Sequence, residues 1–286
     1  MANLLIGYDN LAEAASYAGG DWQAGLPLDS LRSRELARVA RSADAAEAST
    51  WFTVDLGSAR PVRLLAFVNV NCSTNAQVRV TAANDAGFAA PVHEGAAEDI
   101  FPVVYAWDVL EWEDDNWWSG RYAQSELQGL VLSFDSILPA TVIARHWKIE
   151  ILDDENPDGH VQLGHLFMAA QWQPLRNVDT GASLGLGTGT EIGQVLGGAE
   201  IVDEQPQYRM FSGTLSQLDE GEGFGRAFEL MRRLGIGTPV YLVADPGDRL
   251  NAIRRNFLGR FSRLHPVVHR HAGRMSVDLE IREWTA

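Results

Sequence analysis

The alternation of apolar and polar residues predicts a chain made mostly of strands, since side chains repeat at period two in a strand and near 3.6 in a helix. In WFTVDLG, Phe52, Val54 and Leu56 share one face, Thr53 and Asp55 share the other, and Gly57 ends the run. Residues 62–70, VRLLAFVNV, are nearly all apolar, the pattern of a strand covered on both sides. QVRVTA (77–82), VLSF (131–134), HWKIEIL (146–152) and VQLGHLFMA (161–169) read as further strands. Clusters such as NDAG and DDENPDG supply the turns between them. Short strands with no helices between them predict an antiparallel sandwich or barrel over residues 1–172. The one helical candidate there, DSLRSRELARVAR, is weakly periodic and reads equally well as a loop.

Residues 173–206 change character. GASLGLGTGTEIGQVLGG is poor in charge and rich in Gly and Thr, as a connector or an arm lying on a neighbour would be. Beyond it, residues 207–286 predict a smaller α+β domain. QYRMFSGTL, PVYLVA, RRNFLGRFSRL and RMSVDLEIREW read as strands, the last alternating through Met275, Val277, Leu279 and Ile281. GEGFGRAFELMRRLG puts Phe224, Ala227, Phe228, Met231 and Leu234 at helical spacing, with Gly235 and Gly237 as its stop. The fold class expected is mainly β: an antiparallel sandwich followed by one helix on an antiparallel sheet.

Composition narrows the function. Residues 1–172 carry 24 Asp/Glu against 10 Lys/Arg, whereas residues 173–286 carry 14 against 13. An acidic first half repels phosphate backbones, which argues against nucleic-acid binding there. Basic residues cluster over 249–274 but are interleaved with acidic strands, as on a solvated or interface face. No apolar run approaches the roughly 20 residues of a membrane span, and MANLLIGYDN lacks the positive start of a signal peptide. A lone Cys72 builds neither an internal disulfide nor a cysteine-based zinc site, and reads as a small buried thiol.

The stretches NLL (3–5), 51–71, QVRVTAAND (77–85) and WKIEILDDENPDGHVQLGHLFMA (147–169) resemble the discoidin-like, galactose-binding-like β-sandwich. The version here is similar to sandwiches of bacteriophage tail and virion proteins, where a second domain follows. The ending FLGRFSRLHPVV…MSVDLEIREW is similar in style to strand pairs of tail-tube and distal-tail proteins. The resemblance implies a structural component of a phage tail tip or baseplate. It would lie in the virion after synthesis in the bacterial host cytoplasm, form a homo-oligomeric ring and touch other tail proteins. The alternative it leaves open is a receptor-binding module for a host surface polysaccharide, held by loops at one end of the sandwich. It implies no cofactor.

Four motifs carry candidate chemistry. DVLEWEDDNWWSGRY (108–122) sets five carboxylates among Trp112, Trp117, Trp118 and Tyr122. Those aromatics are the expected partner- or glycan-binding residues, because indole and phenol rings anchor interfaces and stack on sugars. Glu111, Glu113 and Asp115 crowd one segment, whereas a glycosidase needs its pair on facing walls of a cleft, so no catalytic residue is expected. Asp154, Asn156, Asp158 and Gly159 fit the start of a calcium loop, but His165 stands where a bidentate Glu belongs and Pro157 intrudes. A turn is the expected reading. GLGTGTEIG lacks phosphate-loop spacing, and His265, His269 and His271 read as a solvated hairpin rather than a metal site.

Overall fold

A computed structural model describes residues 2–106, 108–113, 116–127, 131–194, 197–198, 200–271 and 273–285. The fold is mainly β, in two large antiparallel sheets and one small hairpin. Two 20-residue strands, Trp51–Val70 and Ser133–Leu152, organise the first sheet. They pair along their length with register shifts between Asp55/Arg60 and Val62/Leu64. An extra residue at such a shift bends a strand and raises its twist. The two ends of the ribbon are therefore turned over one core. Ser16–Ala18 and Gln77–Ala83 extend it beside residues 51–55 and 146–152, and Gln162–Ala169 extends it beside residues 64–70. Where the sequence predicted separate strands at 131–134 and 146–152, the chain runs as one bent strand from Ser133.

The core between those layers takes Phe52, Val54, Leu65, Phe67, Val80, Trp147, Ile149 and Met168. Phe67 stacks on Phe134 with ring centroids 4.7 Å apart. Cys72 is buried there, as its isolation in the sequence implied, and burial raises its thiol far above the ordinary range.

The second sheet runs Gln171–Trp172, Leu5–Gly7, Val240–Val243, Phe257–Arg263, Arg274–Glu283, Gln207–Leu218, Ser183–Thr188. The helix over 220–234 covers one of its faces. Leu230, Met231 and Leu234 meet Leu4, Ile6, Phe211, Leu215 and Phe261. The opposite face packs on the sandwich: Leu5, Tyr241, Val243 and Leu258 meet Leu64, Ala66, Val68, Phe167 and Ala169. The apolar run 62–70 is thereby accounted for. Leu65 and Phe67 point into the sandwich while Leu64, Ala66 and Val68 point at the second sheet, each large side chain contributing about 1.5–3 kcal/mol over exposure.

Three expectations change. The boundary at 172 is crossed by the first strand: Leu5–Gly7 pairs with Gln171–Trp172 and Val240–Val243, so the opening NLL belongs to the second sheet. The stretch 173–206 is no bare connector, for Ser183–Thr188 forms the sheet edge and Glu191–Gln194 pairs with Glu200–Asp203 as a separate exposed hairpin. The helix is α over Glu220–Glu222, π over Gly223–Phe228 and α over Glu229–Leu234. A π turn widens the repeat, so Gly223 and Ala227 face the sheet and Phe224 and Phe228 are left half exposed. A Cβ on Gly223 would come within 2.6 Å of Met275 Sδ, so the backbone lies close on the sheet there. DSLRSRELARVAR forms only a short 3₁₀ turn, Leu28–Arg32, before irregular chain.

Candidate functional site: a tryptophan-bearing loop

The loop between the short strand Glu98–Asp99 and the strand Ser133–Leu152 carries the aromatic cluster. Its base is tied by buried polar groups. Arg121 donates from Nη2 to Asp99 Oδ2 at 2.9 Å and from Nη1 to the carbonyls of Thr74, at 3.0 Å, and Phe101. Asn116 is buried, donates from Nδ2 to the Arg121 carbonyl at 2.8 Å, and accepts Gly120 N–H at its own carbonyl. Val104 and Tyr105 both donate backbone N–H groups to the Gly120 carbonyl at 2.8 Å. Arg121 and Asn116 thus close the loop, while Phe101 and Leu127 are buried beneath it and Trp112 and Trp118 are turned outward.

Trp112 and Trp118 are 71% and 81% exposed. The Trp112 ring lies 5.9 Å from each of Trp117 and Trp118, edge to face, with Trp117 half-buried behind them. Val103 and Val109 are exposed on the same loop. Indoles at this exposure forgo burial that elsewhere drives folding, and an exposed apolar cluster rimmed by polar groups is a usual mark of a binding surface. Asp108, Glu111 and Glu113 are exposed on the same segment. Asp114 and Asp115 lie outside the described residues.

Tyr122 does not join the tryptophans. It is buried, its hydroxyl donates to the Leu250 carbonyl at 2.9 Å, and the Arg254 guanidinium sits 5.0 Å from its ring centroid. Burial raises its phenol above the ordinary value, against the opposing charge of Arg254. Its role is to clamp the loop against the second unit. Nothing in the spacing of Tyr122 from Trp118 separates the two fates, because the partners that claim it are about 130 residues away.

The structure also exposes a feature that sequence reading missed. A cavity of about 120 Å³ lies between the sandwich and the second unit, lined by Tyr122, Ser133, Asp135, Asp245, Arg249 and Asn256 among others. Asp135 accepts from Asn256 Nδ2 at 2.9 Å and from the Tyr241 hydroxyl at 3.4 Å. Burial raises its carboxyl above the usual range, with Asn256, Tyr241 and Arg249 acting in the opposite sense. The available signal was one carboxylate inside an apolar strand, VLSFDSIL.

The remaining motifs are spent on structure. Asn156 is buried and donates to Asp153 Oδ2 at 2.7 Å and to the Asn71 carbonyl at 3.1 Å. Asp154 accepts the Glu47 N–H, Asp158 accepts from Asn71 Nδ2, and Gly159 completes the turn at φ +67°. His165 is buried on the neighbouring strand, its ring nitrogens engaged by the Ser33 carbonyl and Asn10, and burial lowers its pKa. Among the described residues, no three His, Cys, Asp or Glu are grouped so as to hold a metal ion, and no helix is long and apolar enough to cross a membrane. Val268–His271 pairs with Arg274–Glu283 as the expected hairpin.

No family model and no curated protein matches the chain. Solved structures do. A carbohydrate-binding module from a family 31 glycoside hydrolase of Clostridium perfringens is similar at 12% identity and TM-score 0.37, covering 57% of this chain and 99% of that one. The family 32 module of C. perfringens NanJ, solved with galactose, is similar at 14% and 0.38, covering 58% and 99%. The lectin-binding domain of Lectinolysin, complexed with Lewis b, is similar at 16% and 0.37, covering 57% and 97%.

Proposed function

We propose that this chain is a non-enzymatic recognition protein that binds a surface carbohydrate through the tryptophan-bearing loop of its sandwich. The observation that carries the reading is the pair of exposed rings, Trp112 and Trp118, held edge to face on a loop whose base is tied by Arg121 and Asn116. Indole faces take the C–H face of a pyranose, and the Glu111 and Glu113 carboxylates beside them accept from sugar hydroxyls. Indole rings with two rotatable side-chain bonds lose little freedom on binding. The ligand class is a host surface polysaccharide.

The test is a glycan array with the purified chain, repeated with Trp112→Ala and Trp118→Ala. Selective binding weakened about tenfold or more by each change, about 1.4 kcal/mol, is expected. Absence of binding to any surface glycan, or binding indifferent to both changes, removes the reading.

A second reading is favoured by a different observation, the hairpin of Glu191–Gln194 with Glu200–Asp203, whose strand residues are all exposed. In it the protein is a subunit of a bacteriophage tail tip or baseplate, contacting other tail proteins within the virion. Electron cryomicroscopy of assembled particles lacking density for this chain would remove it.

A further inference from the structure

The hairpin formed by Glu191–Gln194 and Glu200–Asp203 has water on both faces, although Ile192 pairs across it with Val202 and Ile201 sits on its other side. A two-stranded hairpin is marginally stable alone, and this one exposes Ile192 and Ile201 by 67% and 60%. Residues 177–206 contain no Lys or Arg, whereas Glu191, Glu200, Asp203 and Glu204 are all acidic. The arm is therefore apolar at its strands and negative around them.

A matching surface lies elsewhere on the same chain. The π turn leaves Phe224 and Phe228 half exposed, 6.1 Å apart, and they line an apolar groove with Leu264 and Val267. Arg232 lines that groove in an ion pair with Glu229 at 2.7 Å, and Arg226 and Arg263 flank it in sequence and are exposed, so the positive rim rests on those two. The surface is apolar with a positive rim, the complement of the arm in both respects.

The two surfaces do not meet within one molecule. The arm leaves the sheet at the start of the strand Gln207–Leu218, and the helix that carries the groove begins directly after that strand ends. Twelve strand residues separate the two ends, about 40 Å at about 3.4 Å per residue. We infer that the arm of one copy seats in the Phe224–Phe228 groove of a second copy. Arm and groove are different patches, so the contact is heterologous and passes from copy to copy, closing into a ring or running on as a filament. The inference is independent of carbohydrate binding, which uses the opposite unit of the chain.

The experiment is analytical ultracentrifugation of the full chain over a concentration series. It is repeated with an arm variant, Ile192→Ser with Val202→Ser, and a groove variant, Phe228→Ser with Leu264→Ser. All four positions are exposed, and melting curves close to that of the parent confirm folding. The parent is expected to self-associate with concentration, and each variant alone to stay monomeric. Mixing the variants is expected to give a 1:1 complex that grows no further, because one supplies the intact groove and the other the intact arm. A parent that stays monomeric throughout, association that persists in both variants, or mixed variants that fail to pair would each overturn the inference.

Discussion

Glu283→Gln is the change whose cost follows most directly from the structure. Arg209 and Glu283 are both buried where the strand Gln207–Leu218 passes the end of Arg274–Glu283. Glu283 Oε1 accepts from Arg209 Nε at 3.0 Å and from Nη2, while Oε2 accepts the Arg209 backbone N–H at 2.7 Å. Arg209 Nη1 donates to the carbonyls of Ile253 at 2.7 Å and Asn256 at 3.1 Å, and its guanidinium lies 5.2 Å from the Phe257 ring centroid. The amide keeps the shape and removes the charge, leaving a buried cation facing only dipoles. Breaking one side of such a pair costs about 3–5 kcal/mol. At about 2–4 °C per kcal/mol for a chain of this size, the melting temperature falls by roughly 6–20 °C. Urea titration followed by tryptophan fluorescence measures the free-energy cost, and a thermal melt the shift in midpoint. Arg209→Met alone should cost a similar amount. With Glu283→Met added no charge is left buried, and what remains is the cost of the Arg209 N–H and the Ile253 and Asn256 carbonyls losing their partners, about 1–3 kcal/mol for each group left unsatisfied, so the double variant should be more stable than the sum of the singles implies. A Glu283→Gln cost below about 1 kcal/mol, as for a surface ion pair, or strict additivity in the double variant, would refute the reasoning.

Two further outcomes are expected. Phe67→Ala removes a fully buried ring stacked on Phe134 and should cost about 3–5 kcal/mol in the same titration, with Phe67→Leu costing clearly less. Asp135 retains its proton to higher pH in the folded chain than in the unfolded one, where a carboxyl titrates near about 3.9. The stability tied to that proton is complete below the unfolded value and declines as pH rises through the folded value. Asp135→Asn lacks this decline, so its stability relative to the parent should rise between about pH 4 and neutrality; a pH-independent difference would show that Asp135 ionises normally.

Much of the sandwich was legible because water enforces alternation wherever a strand has one wet face. Phe52 and Val54, and Met275 through Ile281, are buried at the positions their period-two pattern gives. The unbroken run at 62–70 was legible as doubly covered, but not what covered its second side, since that partner is the sheet of Tyr241 and Val243. The helix was legible in extent and not in phase: its π turn moved Phe224 and Phe228 off the buried face that 3.6-residue spacing assigns them. At the candidate site the structure brings the three tryptophans together. Tyr122 was assigned to them wrongly because local composition says nothing of Leu250 and Arg254. Asp135 and its cavity depend on Asn256 and Tyr241, whose approach is a product of the whole fold.

The strand Leu5–Gly7 is made long before either of its partners. Its partners are Gln171–Trp172 and Val240–Val243, so during synthesis its edges stay unsatisfied until the sandwich is complete and most of the second sheet has emerged. Contacts this distant in sequence pay their loop-closure entropy late and slow folding. Once closed, they make the sandwich an excursion between two strands of a single sheet. A protease cut anywhere over 173–182 would then leave the two pieces held together through Leu5–Gly7, and separating them would require unfolding the second sheet.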